Sequence, residues 1–204
     1  MAVRRTNIPS QPPNNPFTAL LELSSSLTRT TTGGFYAEAL NCIFSATGLH
    51  AGVVHEVTPS GLELAAEEGL PPAMRAHIGS ISSAAPAWFV AQNVAKRRRM
   101  IVEEDTTTMF GTRVSAAVLR SSGWTAIASA PMMIGRDVLG VISIGAPSVE
   151  YLSPQRIAVL ETVTNVMALF IAKTKAATEE TPAIEGPNSL SDVDEKLTRL
   201  ATLG

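Results

Sequence analysis

The sequence predicts an α+β domain. A central antiparallel sheet of about five to six strands is expected between helices at the two ends of the region. Two alternating apolar strands, 125–134 and 138–145, meet at a Gly-Arg-Asp turn, and an earlier hairpin is predicted over 51–67. Helical patterning stands at both ends of this region. Runs of strands between end helices favour an antiparallel sheet over parallel βαβ units.

The first half of the domain is predicted to hold two helices and the hairpin. Apolar residues at helical spacing start a helix near Phe17, and a second helix runs from Phe35 until Gly48 stops it. Residues 51–57 and 61–67 then form the two strands, with Pro-Ser-Gly in their connection.

The second half begins with a loop-rich stretch, about 69–112, and ends in a long helix. The short elements expected before the two long strands are a strand at 77–81, a helix at 86–98, a strand at 100–102 and a helix at 113–122. Ser153 as N-cap and Pro154 as first helical residue open the closing helix, which is predicted to run through about Lys175.

The two ends of the chain differ in composition from this domain, which spans 17–175. Residues 1–16 are polar and rich in proline and are expected to form a disordered leader, while 176–188 form an acidic, proline-containing linker. Residues 189–204 form a short amphipathic segment that could fold back on the domain, remain disordered or dock into a partner's groove, with docking and fold-back equally favoured. Its apolar stripe consists of Leu190, Val193, Leu197 and Leu200.

Composition excludes several classes of protein. The net charge of −2 gives no general attraction to nucleic acid or to acidic membranes. The single cysteine, Cys42, excludes an intramolecular disulfide framework, and its apolar neighbours predict a buried structural thiol. We expect no secretory signal, because no apolar stretch follows Arg4 and Arg5, and no membrane span, because no apolar run approaches ~20 residues. A cytoplasmic protein without nucleic-acid or membrane partners is therefore expected.

The chemically active residues form no catalytic or metal-binding constellation. Ser143 stands in Gly-Val-Ile-Ser-Ile-Gly, which differs from a nucleophile elbow by one extra residue and by lying inside a strand. His50 and His55 would point to opposite faces of the chain, so solvated or capped histidines are favoured over a metal pair. We expect no metal site and no enzyme activity.

A compact basic run, Lys-Arg-Arg-Arg at 96–99, is followed by acidic residues at 103–105. It could bind phosphate or a nucleic-acid backbone. A solvated helix end is the favoured interpretation, because cations suit the end of a helix dipole and no aromatic residues interleave with the run.

Several short patterns occur together in the order of a known family. Ala-Pro-Met at 130–132 stands where that family has an apolar residue, Pro and Leu, and Gly-Val-Ile-Ser-Ile at 140–144 where it has Gly-Val-Leu-x-Leu. A small helix, an apolar strand and acidic residues at 95–105 also match, as does the closing helix. Residues 17–175, about three quarters of the chain, thus resemble a GAF domain, the fold of many small-molecule sensors.

The resemblance implies that the first, second and last helices pack on one sheet face. The roof segment, Leu70–Gly123, would cover the other face and hold a ligand or leave it empty. Arg113 could pair with an anionic group of that ligand, whereas the tryptophans could simply fill the roof. His77 could ligate haem or hydrogen-bond an anion, and a surface histidine is the alternative. The ligand-contacting residues expected are His77, Trp88, Phe110, Arg113, Trp124 and Ser129.

The resemblance also implies a homodimer through the end helices, and it leaves the ligand and any cofactor open. The sequence lacks Asn-Lys-x-Phe-Asp-Glu, the signature of the cyclic-nucleotide-binding members. Bilin-binding members need a cysteine in the pocket region, whereas Cys42 lies on the predicted second helix. The free-methionine-sulfoxide reductases of the family need several pocket cysteines, and this chain has one cysteine. The expected dimer contacts are Phe17, Leu20, Leu27, Ile157, Leu160 and Met167.

Two functions stay open at this point. The first is a non-catalytic sensor that binds a small molecule and signals through a partner protein. The second is an adaptor or scaffold with a degenerate pocket, which acts through dimerisation and its C-terminal segment. An enzyme is poorly supported, because no nucleophile–base arrangement is found.

Overall fold

The structure, a computed structural model, describes residues 15–27, 34–70, 72–78, 80–82, 90–106 and 116–179. Its helices are α1 (Pro16–Leu27), α2 (Phe35–Thr47), α3 (Pro72–Ile78), α4 (Val90–Arg97), α5 (Ala116–Ser122) and α6 (Pro154–Glu179). Its strands are β1 (Gly52–Thr58), β2 (Gly61–Glu68), β3 (Ser80–Ser82), β4 (Ile101–Glu103), β5 (Ala126–Ile134) and β6 (Asp137–Ala146). The chain divides into two units, Met1–Ile171 and Ala172–Gly204, and the described part of the second is the end of α6.

The described strands form one antiparallel sheet in the order β3-β2-β1-β6-β5-β4. Two local hairpins, β1–β2 and β5–β6, supply most of it, and the pairing of β1 with β6 joins the hairpins at the centre. The sheet therefore buries β6 between two neighbours, and the predicted α+β class with about five to six strands is confirmed.

Alternation along the central strands divides the core between the two faces of the sheet. Ile142 and Ile144 lie on the helix face, covered by α1, α2 and α6, whereas Val141 belongs to the opposite, roof face. The roof face is covered by apolar residues of the short helices α3, α4 and α5, which are Met74, Ile78, Val90, Ala91, Val94 and Leu119.

On the helix face, α2 and α6 run antiparallel, and side-chain contacts join them at both ends. The rings of Phe35 at the start of α2 and Phe170 near the end of α6 are 4.8 Å apart. At the other end, the Arg156 Nε donates to the carbonyl oxygen of Thr47 at 2.8 Å. Gly48 ends α2 with a φ of 70°, a left-handed conformation that glycine adopts without a steric penalty, as predicted.

Two of the predicted dimer contacts are corrected by this packing. Leu160 and Met167 are fully buried in the core of a single chain, because their positions on α6 face the sheet. Their side chains are therefore not available to a second copy. Leu20 and Ile157 are partly buried at the edge of the same core, and the side chains of Phe17 and Leu27 lie outside the described part.

One short strand, one unpredicted helix and the end of the closing helix differ most from the sequence predictions. The strand expected at 77–81 lies at Ser80–Ser82, and the residues before it form α3, which starts with a proline at its first position. The closing helix continues to Glu179, because alanines follow Lys175 and no helix breaker occurs before Pro182. Residues 176–179, predicted as the start of the linker, therefore belong to this helix.

Some predictions lie outside the described residues. They concern the leader up to residue 14, the rest of the linker, the apolar stripe Leu190, Val193, Leu197 and Leu200, and the starts of the helices expected at 86–98 and 113–122. The described ends of those two helices, Arg97 and Ser122, agree with the predictions.

One described helix, α6, is long and apolar enough to cross a membrane by length and composition alone. Its most apolar 18-residue window has a mean hydropathy of 1.5, so the expectation that no stretch approaches a membrane span is wrong by this measure. The side of α6 that carries Leu160, Val163 and Met167 is buried in the domain core. A core helix of a folded domain passes the same test, so the finding is weak evidence for a membrane span.

Candidate ligand-binding face

Three polar side chains lie next to one another on the roof face of the sheet. Ser143 on β6 pairs with Ser129 on β5 and with Val53 on β1, and His55 on β1 pairs with Val141. His55 and Ser143 are thus diagonal neighbours across β1 and β6. All three polar residues are at most 2% exposed, in a layer otherwise built from apolar side chains.

The two serines form a direct hydrogen bond across the strands. Ser129 Oγ donates to Ser143 Oγ at 2.7 Å. A hydroxyl group has one proton and two acceptor positions, so the Ser143 proton is not used in this bond. No other hydrogen bond of Ser143 occurs in the described part of the chain, which leaves one buried donor free for a further partner.

His55 joins the sheet to the end of α3. Its Nε2 lies 2.8 Å from the carbonyl oxygen of Ile78, the last residue of that helix. Burial lowers the pKa of His55, while the bond to Ile78 opposes this shift. The ring is therefore neutral at pH 7, Nε2 donates, and Nδ1 is an acceptor without a partner among the described residues. His55 is hence a capping histidine and not a solvated one.

Trp124 closes the same face beyond Ser143. Its backbone N–H donates to the Leu119 carbonyl at 3.0 Å, and the hydroxyl of Thr106 donates to the Trp124 carbonyl. The indole ring lies over Gly145, where an added Cβ would be only 2.6 Å from the ring carbon Cδ2. The indole Nε1 is buried and has no hydrogen-bond partner in the described part.

Together these residues give the roof face one unused acceptor and two unused donors. They are His55 Nδ1, the Ser143 hydroxyl and Trp124 Nε1, placed beside or over three successive roof-facing positions of β6. A buried polar group without a partner costs about 1–3 kcal/mol, so such groups in native proteins have a bound partner or a functional reason. Among the described residues, these three groups have no partner for their remaining hydrogen bonds.

Among the described residues of this face, no nucleophile is paired with a base. The hydroxyl of Ser143 is bonded to another hydroxyl, and His55 spends Nε2 on a backbone carbonyl. Among the described residues, no group of three or more His, Cys, Asp or Glu side chains could hold a metal ion. The geometry suits recognition by hydrogen bonds in an apolar setting.

The structure brings two of the predicted ligand residues, Trp124 and Ser129, to this face. His77 lies in α3 but its side chain is outside the described part, as are Trp88, Phe110 and Arg113. Sequence reasoning missed His55 and Ser143 as members of the face. Their signal was present, since each is a polar residue at an alternating position of a strand whose other residues on that face are apolar.

The family comparison identifies the domain. The model of the GAF domain family matches residues 36–172, so the chain belongs to the GAF domain family. No curated protein matches the sequence significantly. A GAF domain is a sensory or regulatory module found in kinases and phosphotransferases.

Solved structures agree on the fold. The GAF domain of a phosphoenolpyruvate-protein phosphotransferase from Coxiella burnetii is similar with a TM-score of 0.64 and 14% identity, over 83% of this chain and 99% of that one. The corresponding domain from Acinetobacter gives 0.60 and 16%, over 80% and 97%. The fRMsr protein of Staphylococcus aureus, solved with its substrate, gives 0.60 and 15%, over 79% and 97%. At these identities the likeness shows the fold alone.

Proposed function

We propose that this protein is a non-catalytic GAF sensor of the cytoplasm, which binds a small polar molecule on the roof face and signals through a partner protein. The observation that carries the proposal is the set of unused hydrogen-bonding groups on His55, Ser143 and Trp124. A ligand with both donors and acceptors would satisfy all three, and the surrounding apolar side chains would exclude water from it.

Binding at this face has a direct route to the roof segment. His55 touches the ligand site through Nδ1 and the end of α3 through Nε2, so a ligand bonded to Nδ1 changes the group that holds α3. The roof helices are short and depend on the sheet for their packing. Ligand occupancy thereby shifts the outer surface of the roof, which is what a partner protein reads.

An adaptor is the second candidate, and one observation favours it. Leu21 on α1 and Leu169 on α6 are 69% and 66% exposed, which leaves large apolar side chains on the outer side of both helices. We propose that these outer helix surfaces form the homodimer contact in place of the buried Leu160 and Met167. In the adaptor, this contact and the C-terminal segment would be the function and the roof face would stay empty.

Native mass spectrometry of the freshly purified protein, beside a denatured control, separates the two candidates. The sensor predicts a stoichiometric extra mass that denaturation releases. The variants Ser143→Ala and His55→Gln should lose that mass, whereas Ser24→Ala, at an exposed position of α1, should keep it. A dimer without added mass, in wild type and variants alike, would favour the adaptor.

The route to the partner is tested by deleting residues 189–204. We expect the truncated protein to melt at the same temperature as the full chain and to lose capture of its partner. A melting temperature lower by several degrees, with capture unchanged, would make this segment a structural element of the fold.

A further inference from the structure

A groove of about 380 Å³ lies at the end of the sheet where the β1–β2 and β5–β6 turns emerge, beside the end of α4. It is separate from His55, Ser143 and Trp124, none of which lines it. The lining residues are Val57, Thr58, Gly61, Leu62, Gln92, Ala95, Lys96, Arg98, Arg136, Asp137 and Val138. This volume is within the range of small-molecule sites.

The groove combines an apolar wall with an excess of positive charge. Its apolar lining comes from β1, β2, α4 and β6, and its cations are Lys96, Arg98 and Arg136. In the described part of the chain, no ion pair neutralises any of these three cations. Asp137 is the one carboxylate among the lining residues, so the groove carries a net charge of about +2.

Arg98 lines this groove and has a left-handed backbone conformation, which glycine adopts more readily than arginine. It follows α4 directly, its N–H donates to the Val94 carbonyl at 2.8 Å, and its φ is +54°. Helices commonly place glycine or asparagine at this position, because a side chain strains the left-handed conformation. An arginine here costs stability, and residues held in such conformations cluster at functional sites.

We propose that this groove binds an organic phosphate monoester, with the phosphate on Arg98, Arg136 and Lys96 and the apolar body against Val57 and Leu62. The net charge of the groove matches a phosphate dianion and would be only half neutralised by a carboxylate. Arginine side chains bind phosphate through two parallel hydrogen bonds, which gives the site its geometric preference. This site is separate from the polar groups of His55, Ser143 and Trp124, and it does not depend on the proposed function.

The first test uses matched probes in isothermal titration calorimetry at one fixed, low ionic strength. The probes are 1-naphthyl phosphate, 1-naphthoate, 1-naphthol and inorganic phosphate. We expect 1-naphthyl phosphate to bind with one site per chain and at least tenfold more tightly than each of the other three. Equal affinity for 1-naphthol, or for 1-naphthoate, would overturn the assignment to a phosphate monoester.

The second test uses variants of the full chain. Arg98→Gly and Arg136→Gln should each weaken 1-naphthyl phosphate at least tenfold. The control is Arg97→Gln, which removes the same charge one residue away, from an exposed position that does not line the groove. It should change the affinity less than twofold, and a loss as large as that of Arg98→Gly would reduce the site to general charge attraction and overturn it.

Stability distinguishes loss of binding from loss of folding. Glycine relieves the strain at residue 98, so Arg98→Gly should melt at the same temperature as wild type or higher while binding less. The mass of any roof-face ligand in native spectra should be unchanged in this variant. The two sites are then distinguishable, because each can be lost without the other.

Discussion

The hydroxyl groups of Ser129 and Ser143 are hydrogen-bonded at 2.7 Å across the β5–β6 hairpin, in the middle of an apolar sheet face. Neither side chain reaches solvent, and the hydroxyl proton of Ser143 is the one that the bond between the two serines does not use. Two alanines would fill these positions with less desolvation cost. The proposed ligand site would give this pair a role that stability of the sheet does not require.

The serine pair should show strong coupling between its members. Ser129→Ala leaves the Ser143 hydroxyl buried without its partner, and we expect it to lower the free energy of unfolding by about 1–2 kcal/mol. The double variant Ser129→Ala/Ser143→Ala removes both polar groups and should cost less than the sum of the single variants. Urea unfolding of the four proteins gives the coupling energy. Strict additivity would show that the 2.7 Å contact contributes nothing.

His55 should make the protein less stable in acid. Burial lowers the pKa of His55 in the folded state below its value in the unfolded state. As the pH falls, the unfolded chain therefore binds a proton at this residue before the folded chain does. Its contribution is constant above about pH 6.5 and is lost as the pH falls from there toward the folded pKa. Between pH 7.5 and 5.5 this residue alone should lower the free energy of unfolding by about 1 kcal/mol, because the folded ring stays neutral while the unfolded one takes up a proton.

The measurement is the difference in unfolding free energy between these two pH values, taken from urea titrations. His55→Gln keeps a donor for the Ile78 carbonyl but does not titrate, so its pH dependence should be flatter than that of wild type. The control Ser24→Ala, a non-titrating substitution at an exposed position of α1, should keep the pH dependence of wild type. Parallel curves for wild type and His55→Gln would contradict the assignment.

The sequence predicted the sheet and its outer helices because their signals are local. Alternation in β5 and β6 and the Ser-Pro start of α6 each act over a few residues, and the resulting elements are confirmed. Strand order was less accessible, since the pairing of β1 with β6 joins residues about 90 positions apart. The resemblance to GAF domains implied which helices share a sheet face, but the strand order itself was not predicted.

The candidate site was predictable only in part. Trp124 and Ser129 follow from their place beside the long strands, but His55 becomes a site residue only through its register with Val141 and its bond to Ile78. A one-residue change of register would move His55 to the other face, and the sequence does not fix the register of β1. The helix α3 was missed because a short helix between turns carries little periodicity.

Cys42 should resist modification in the folded protein. Its thiol donates to the Ala19 carbonyl at 3.2 Å between α2 and α1, which confirms the predicted buried structural thiol. Burial, and then the negative charge of Glu22, raise the pKa of Cys42 to about 11. Since the thiolate is the reactive form, its fraction at pH 8 falls roughly a hundredfold below that of a thiol with a pKa of 9.0.

Ellman's reagent tests this directly. The native protein should react at least a hundredfold more slowly at pH 8 than the protein unfolded in guanidinium chloride, which exposes one thiol per chain. Fast reaction of the native protein would mean that α1 separates from α2 in solution, because that contact is what covers the sulfur.

Gly145 should be intolerant of any side chain, because Trp124 occupies the space above it. An added Cβ would stand 2.6 Å from the indole Cδ2 and 3.0 Å from the Gly123 carbonyl oxygen. We expect Gly145→Ala to destabilise the fold by about 1–3 kcal/mol, as overpacking of a core does. Its tryptophan emission should change, since the indole has to leave its buried position.

Trp124→Phe presents a smaller ring, so the double variant should lose less stability than the two single variants together. Additive losses with unchanged emission in Gly145→Ala would contradict this prediction. They would show that β6 shifts to accommodate the added methyl group while the indole keeps its position.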